Sequence, residues 1–120
     1  MNCIYCGKPI EEHEARRQID KCVFRALGYD SAVLLQGYSP SITYWYCTEM
    51  TNYLTADDNP VERFMMFWDR SDGQWCITLE GWYPMDGITP EGVYHVKADT
   101  RPLALCRAVL TLEAVEAEND

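Results

Sequence analysis

The chain has 120 residues, 48% of them hydrophobic, which is enough for one domain with one core and excludes disorder along its whole length. Its formal net charge is −9, so most of its surface repels nucleic-acid phosphates and suits a partner protein with a basic surface. No apolar run is long enough to cross a bilayer, and no basic segment leads into an apolar one at the N-terminus, so no membrane is expected and the expected compartment is the cytosol.

The charge is uneven. Residues 1–30 hold five acids and five bases, and residues 31–120 hold fourteen acids and five bases. The plain alternative to a docking role is that these acids serve solubility. Six cysteines occur, at 3, 6, 22, 47, 76 and 106. Three disulfides would suit a secreted chain, but with no export signal and ample apolar content, reduced cysteines are expected.

Residues 1–10, MNCIYCGKPI, read as a zinc-knuckle-like segment. Cys3 and Cys6 are spaced C-x-x-C, so two thiolates can point at one ion if the chain between them turns tightly. Gly7 lets the backbone fold back. Structural zinc takes four ligands. His13 is the nearest further donor, so Cys3, Cys6 and His13 are the expected ligands and zinc the expected cofactor. Cys22 is disfavoured: on a helix running from Glu11 it lies nine residues past His13, on nearly the opposite side and about 13 Å along the axis. The fourth ligand is left open among a distant cysteine, a carboxylate, a water, or a second chain across a homodimer. Without a metal, Cys3 and Cys6 would be a free dithiol; no βαβ pattern surrounds them to suggest thioredoxin-type chemistry.

Residues 11–117 read as a single α+β domain. The first helix is expected over 11–28, with Glu11, Glu12 and Glu14 at its positive end. Ala15, Ile19, Cys22, Val23 and Ala26 form its apolar stripe, and Gly28 is its stop. A second helix opens at Ser39-Pro40 and runs to about Leu54. Tyr46, Cys47, Met50, Tyr53 and Leu54 share one of its faces. Val61–Trp68 and Gln74–Glu80 are β-rich runs around the turn DRSDG, a hairpin signal. A third strand is expected over Gly92–Ala98, with Tyr94, Val96 and Ala98 inward. The last helix starts near Thr100-Arg101-Pro102 and buries Leu105, Cys106, Val109, Leu110 and Leu112. Residues 118–120 read as a frayed acidic tail. The expected fold is therefore a three-stranded antiparallel sheet packed with helices, in the order α-α-β-β-β-α, preceded by a short cysteine knuckle.

Three short segments carry a family resemblance: Ala26-Leu27-Gly28-Tyr29 closing the first helix, Tyr38-Ser39-Pro40-Ser41 opening the second, and Thr100–Ala108 (TRPLALCRA) opening the last. In these the chain resembles the small phage and prophage proteins of the ABA-sandwich domain family, whose function is unknown. The family's first helix usually ends closer to VMGW. The resemblance supplies no catalytic residues. It implies a phage or prophage accessory protein in the host bacterial cytosol, of the kind that binds a host factor, including host defence machinery.

Two groups are the candidate partner-binding residues. Trp82, Tyr83 and Met85 sit in the loop GWYPMDGITPE and are of the types that anchor protein interfaces; the alternative is a lid over the sheet. Asp57, Asp58, Asp69 and Asp72 lie in turns, where Asp is also expected for its own turn chemistry. No nucleophile elbow, Gly-rich phosphate loop or triad signature occurs. The expected function is a non-catalytic accessory protein that binds a host protein and inhibits a bacterial defence complex, anti-CRISPR-like in kind. The alternative is a zinc-stabilised nucleic-acid-binding module using Lys8, Arg16, Arg17, Lys21 and Arg25.

Overall fold

A computed structural model of the chain describes residues 1–13, 17–28, 50–56, 61–81 and 92–118. The elements among them are a 3-10 turn at Ile10–Glu12, helix α1 at Arg17–Leu27, strands β1 (Val61–Asp69), β2 (Gln74–Gly81) and β3 (Gly92–Ala98), and helix α2 at Arg101–Glu118. Residues 50–54 are also helical. They are the only described part of the expected second helix; its start at Ser39-Pro40 lies outside the described residues. The architecture is α+β, an antiparallel sheet of order β1-β2-β3 with α2 packed against β2 and β3.

The hairpin forms where its turn chemistry directs. Asp69 Oδ1 accepts from the Ser71 and Asp72 amides at 2.9 and 3.4 Å. The Gly73 amide returns to the Asp69 carbonyl at 2.9 Å, with Gly73 at φ +65°, where a side chain would be strained. From that turn the register pairs Trp68 with Trp75, Met66 with Ile77 and Phe64 with Leu79. Across β2 and β3 it pairs Ile77 with Val96 and Leu79 with Tyr94. The period of two puts all of these on one side of the sheet, where Ile77, Leu79 and Val96 are buried, Phe64, Met66, Trp75 and Tyr94 pack against the core, and Trp68 stays exposed. Val96 and Ala98 are buried and Tyr94 half-buried, while Val93, His95 and Lys97 are exposed, as the alternation predicted.

Helix α2 departs from its expected single stripe. The five residues of that stripe are buried, but so are Leu103, Ala104, Ala108, Thr111, Ala114 and Val115. A helix apolar on every side belongs in the middle of a domain. Here α2 meets α1, β2, β3 and the 3-10 turn. Thr100 caps it, with its Oγ1 accepting from the Leu103 amide at 3.4 Å, and Pro102 sits in the first turn where no N–H is missed. No helix among the described residues is long and apolar enough to cross a membrane.

The expected first helix over 11–28 is corrected. Its first turn is the separate 3-10 turn, and His13 follows with extended backbone, φ −68° and ψ 125°. The α-helix is described from Arg17. Gly28, at φ +82°, stops it as expected.

Candidate metal centre

The knuckle closes on itself through its own backbone. The Cys3 amide donates to the Lys8 carbonyl at 2.8 Å and the Gly7 amide to the Cys3 carbonyl at 2.9 Å, while Asn2 and Pro9 form an isolated antiparallel bridge. Gly7 makes this turn at φ +78°, a conformation that disfavours other residues. The Tyr5 amide points at Cys3 Sγ, 3.4 Å away. The loop thereby presents Cys3 and Cys6 to one point.

His13 reaches that point because the 3-10 turn folds it back. Its ring Nδ1 lies 3.0 Å from the Pro9 carbonyl and its Nε2 lies 3.1 Å from Cys6 Sγ. A carbonyl only accepts, so Nδ1 carries the proton and Nε2 turns its lone pair toward the sulfur. This is the orientation that metal-binding histidines use, with the second nitrogen anchored to a backbone carbonyl. The His13 carbonyl is itself clamped: Arg107 on α2 donates to it from Nε at 3.0 Å and from Nη2 at 2.7 Å. The third donor of that guanidinium, Nη1, goes to the Lys97 carbonyl on β3 at 2.8 Å.

Cys22 completes the cluster, and here the expectation is overturned. One ligand atom from each of Cys3, Cys6, His13 and Cys22 lies within 4.8 Å of the others. The helical projection that separated Cys22 from His13 assumed one continuous helix, and the chain leaves helical geometry at His13. Cys22 does lie on the buried face of α1, at 2% exposure, but that face looks onto the knuckle. Burial first, and then the neighbouring Cys3 and Cys6 sulfurs, push its thiol well up. For Cys6 burial acts in the same sense, yet the Lys8 amide, the Cys22 and Cys3 thiols and the Lys8 charge together hold its thiol below the ordinary range.

The four groups could hold a metal ion. Three are buried and Cys6 half-buried. Tetrahedral zinc, with bonds of about 2.3 Å to sulfur and about 2.0 Å to nitrogen, places its ligands roughly 3.5–3.8 Å apart, so small side-chain movements suffice. Four protein donors also fill a tetrahedron, which is the closed arrangement of structural rather than catalytic sites.

A second polar cluster ties the knuckle to the helices. The Tyr5 hydroxyl donates to Glu113 Oε2 at 3.2 Å, and the Tyr53 hydroxyl donates to Glu113 Oε1. Arg25 on α1 lies over the Tyr5 ring, 5.2 Å from its centroid. Burial, reinforced by the Glu113 carboxylate, pushes the Tyr5 phenol up to about 12 and raises that of Tyr53 too. Nothing in the sequence pattern pointed to this trio, because its members are 48 to 108 residues apart.

Of the expected partner-binding residues, Asp57, Asp58, Trp82, Tyr83 and Met85 lie outside the described residues. Asp69 is occupied by its own turn, and Asp72 accepts from Lys97 Nζ in an ion pair. Asp69 therefore shapes the hairpin turn, and Asp72 links that turn to β3. His95 is exposed on β3, its Nδ1 3.2 Å from Thr78 Oγ1. Cys76 and Cys106 are buried and unbridged, as core residues.

No protein-family model, curated protein or solved structure matches this chain.

Proposed function

We propose that the chain is a zinc-stabilised binding protein without catalytic activity, in which Cys3, Cys6, His13 and Cys22 hold one structural zinc. The observation that carries this is the convergence of three thiols and one correctly anchored imidazole within 4.8 Å. Sulfur-rich donor sets with one imidazole select zinc over the hard cations. Such an ion would join the N-terminal segment to α1. It would supply cross-linking and no reaction step, since the four side chains leave no open coordination position.

The partner in this reading is a protein, and a host defence complex is the class that the family resemblance implies. Support comes from the net charge of −9, which steers the chain away from nucleic acid and toward basic surfaces. Nucleic-acid binding is the competing reading. Its support is that Lys8, Lys21 and Arg25 are all exposed beside the metal cluster.

The test has two parts. Protein purified without added metal is assayed for zinc by mass spectrometry, with one zinc per chain expected. Tagged, zinc-loaded protein is then used to capture partners from nuclease-treated bacterial lysate. A stoichiometric host protein is the expected result. Retention of nucleic acid alone, seen only when nuclease is omitted, would replace the protein reading with the competing one.

A further inference from the structure

Strand β3 is an edge strand: among the described residues it pairs with β2 alone. Arg107 donates to the Lys97 carbonyl at 2.8 Å, and we read that carbonyl as turned away from β2. Backbone groups alternate along a strand, so the N–H and C=O of Val93 and His95 point to that same free edge. Alongside runs a groove of about 440 Å³, bounded by Val93 to Lys97, by Met1, Ile10 and Glu11 of the N-terminal segment, and by Arg107 and Thr111 of α2. That volume lies in the usual range of ligand sites, about 300–1,000 Å³. The edge from Val93 to Lys97 is roughly 13 Å long, the length of four or five extended residues.

The charges along the groove single out its occupant. The Met1 amino group meets Glu11 at 4.0 Å, and Lys97 meets Asp72. Arg107 is different: its donors go to neutral carbonyls, and no carboxylate among the described residues meets it. Two of its five N–H groups remain for a ligand. A half-buried guanidinium beside free strand-edge amides fits an extended peptide that carries a carboxylate. A second copy of the chain fits less well. The N-terminal segment lines the groove beside the edge, and each copy would bring a charge of −9.

We propose that the β3 edge and Arg107 form a docking site for an extended segment of a partner protein, which adds a fourth strand to the sheet and places an Asp or Glu side chain against Arg107. Main-chain pairing would supply affinity and the carboxylate would set the register. The inference rests on the reading of the chain as a protein-binding module and names the segment that it takes.

The probe is the capped heptapeptide acetyl-Thr-Val-Thr-Glu-Thr-Val-Thr-amide, titrated into isotope-labelled, zinc-loaded full chain and followed by amide NMR. The control peptide has Lys in place of Glu. The expected result is saturable shifts at Val93, His95 and Lys97, with the Lys peptide weaker by about tenfold. His95→Pro removes an edge-facing N–H that β2 does not use, and edge strands accept proline. It should abolish the shifts while far-UV circular dichroism and zinc content stay unchanged. If His95→Pro does not fold, methylation of the probe's backbone nitrogens replaces it, and should equally abolish binding. Absent β3 shifts, equal binding of the two peptides, or concentration-dependent pairing of β3 with itself would each overturn the proposal. Zinc content is read on the same sample, so loss of the metal reading and loss of the docking site are seen separately.

Discussion

Replacing Cys22 by serine removes one of the four candidate ligand atoms and changes almost nothing else in size. Structural zinc contributes about 10–16 kcal/mol of apparent binding free energy in small zinc-folded peptides, so one ligand of four carries roughly 2.5–4 kcal/mol. Its loss should weaken zinc binding by roughly 10²–10³-fold. With zinc in excess the same amount appears as lost folding stability, about 10–16 °C in Tm for a chain of this size. A separate cost does not depend on metal. Cys22 is 2% exposed, and a hydroxyl in its place costs about 1–3 kcal/mol if it finds no partner. The two terms separate when wild type and Cys22→Ser are melted by circular dichroism in zinc buffer and again in chelator. The gap between the proteins should be wide in zinc and shrink to the hydroxyl cost in chelator. A gap of equal width in both buffers would show Cys22 to be a core residue and no more.

Three further outcomes follow from the same geometry. Arg107→Met should raise the zinc dissociation constant about 10–100-fold, because the His13 carbonyl loses both guanidinium bonds; chelator competition reads this, and an unchanged constant would mean that Arg107 does not position His13. Tyr5 is pushed from 10.0 up to about 12 by burial and by Glu113, so between those values the folded chain keeps a proton that the unfolded chain has lost, and stability falls as pH rises. Tyr5→Phe should flatten part of that fall in urea midpoints taken at about pH 9 and about pH 11; an equal slope in both proteins would count against the Tyr5–Glu113 bond. Gly73→Ala should cost about 1–2 kcal/mol through the left-handed φ of +65° alone, a loss that the urea midpoint registers without any change in zinc content.

Local chemistry made much of this fold legible. Gly73 and Asp69 announced the hairpin, Gly28 the end of α1, and Pro102 the start of α2, because each acts through its own backbone or its nearest neighbours. The alternation in β3 placed Val96 and Ala98 inward for the same reason. Half of the candidate metal centre was equally local: Cys3, Gly7 and Cys6 make their turn within one loop. His13 was within reach of it in sequence, and the structure joins it to them. Cys22 was missed because helical periodicity was extended through Glu11–His13, where Pro9 and the 3-10 turn redirect the chain. A better signal was the need for a fourth ligand together with the spacing Cys3-x2-Cys6-x6-His13-x8-Cys22. The Tyr5–Glu113–Tyr53 cluster and the Arg107 clamp were not legible at all. They join segments brought together only by the packing of α2 in the middle of the domain. The acids of the hairpin turn were readable as turn residues as well as surface charge: Asp69 makes the turn, and Asp72 pairs with Lys97 on β3.

The proposed site is one zinc ion held by Cys3, Cys6, His13 and Cys22. Zinc-edge X-ray absorption on the purified full chain tests it most directly, since it counts the atoms bound to the metal. One zinc per chain is expected, with three sulfur neighbours at about 2.3 Å and one nitrogen at about 2.0 Å. A chain that carries no zinc, or a first shell with two sulfurs and lighter atoms in the remaining positions, would contradict it.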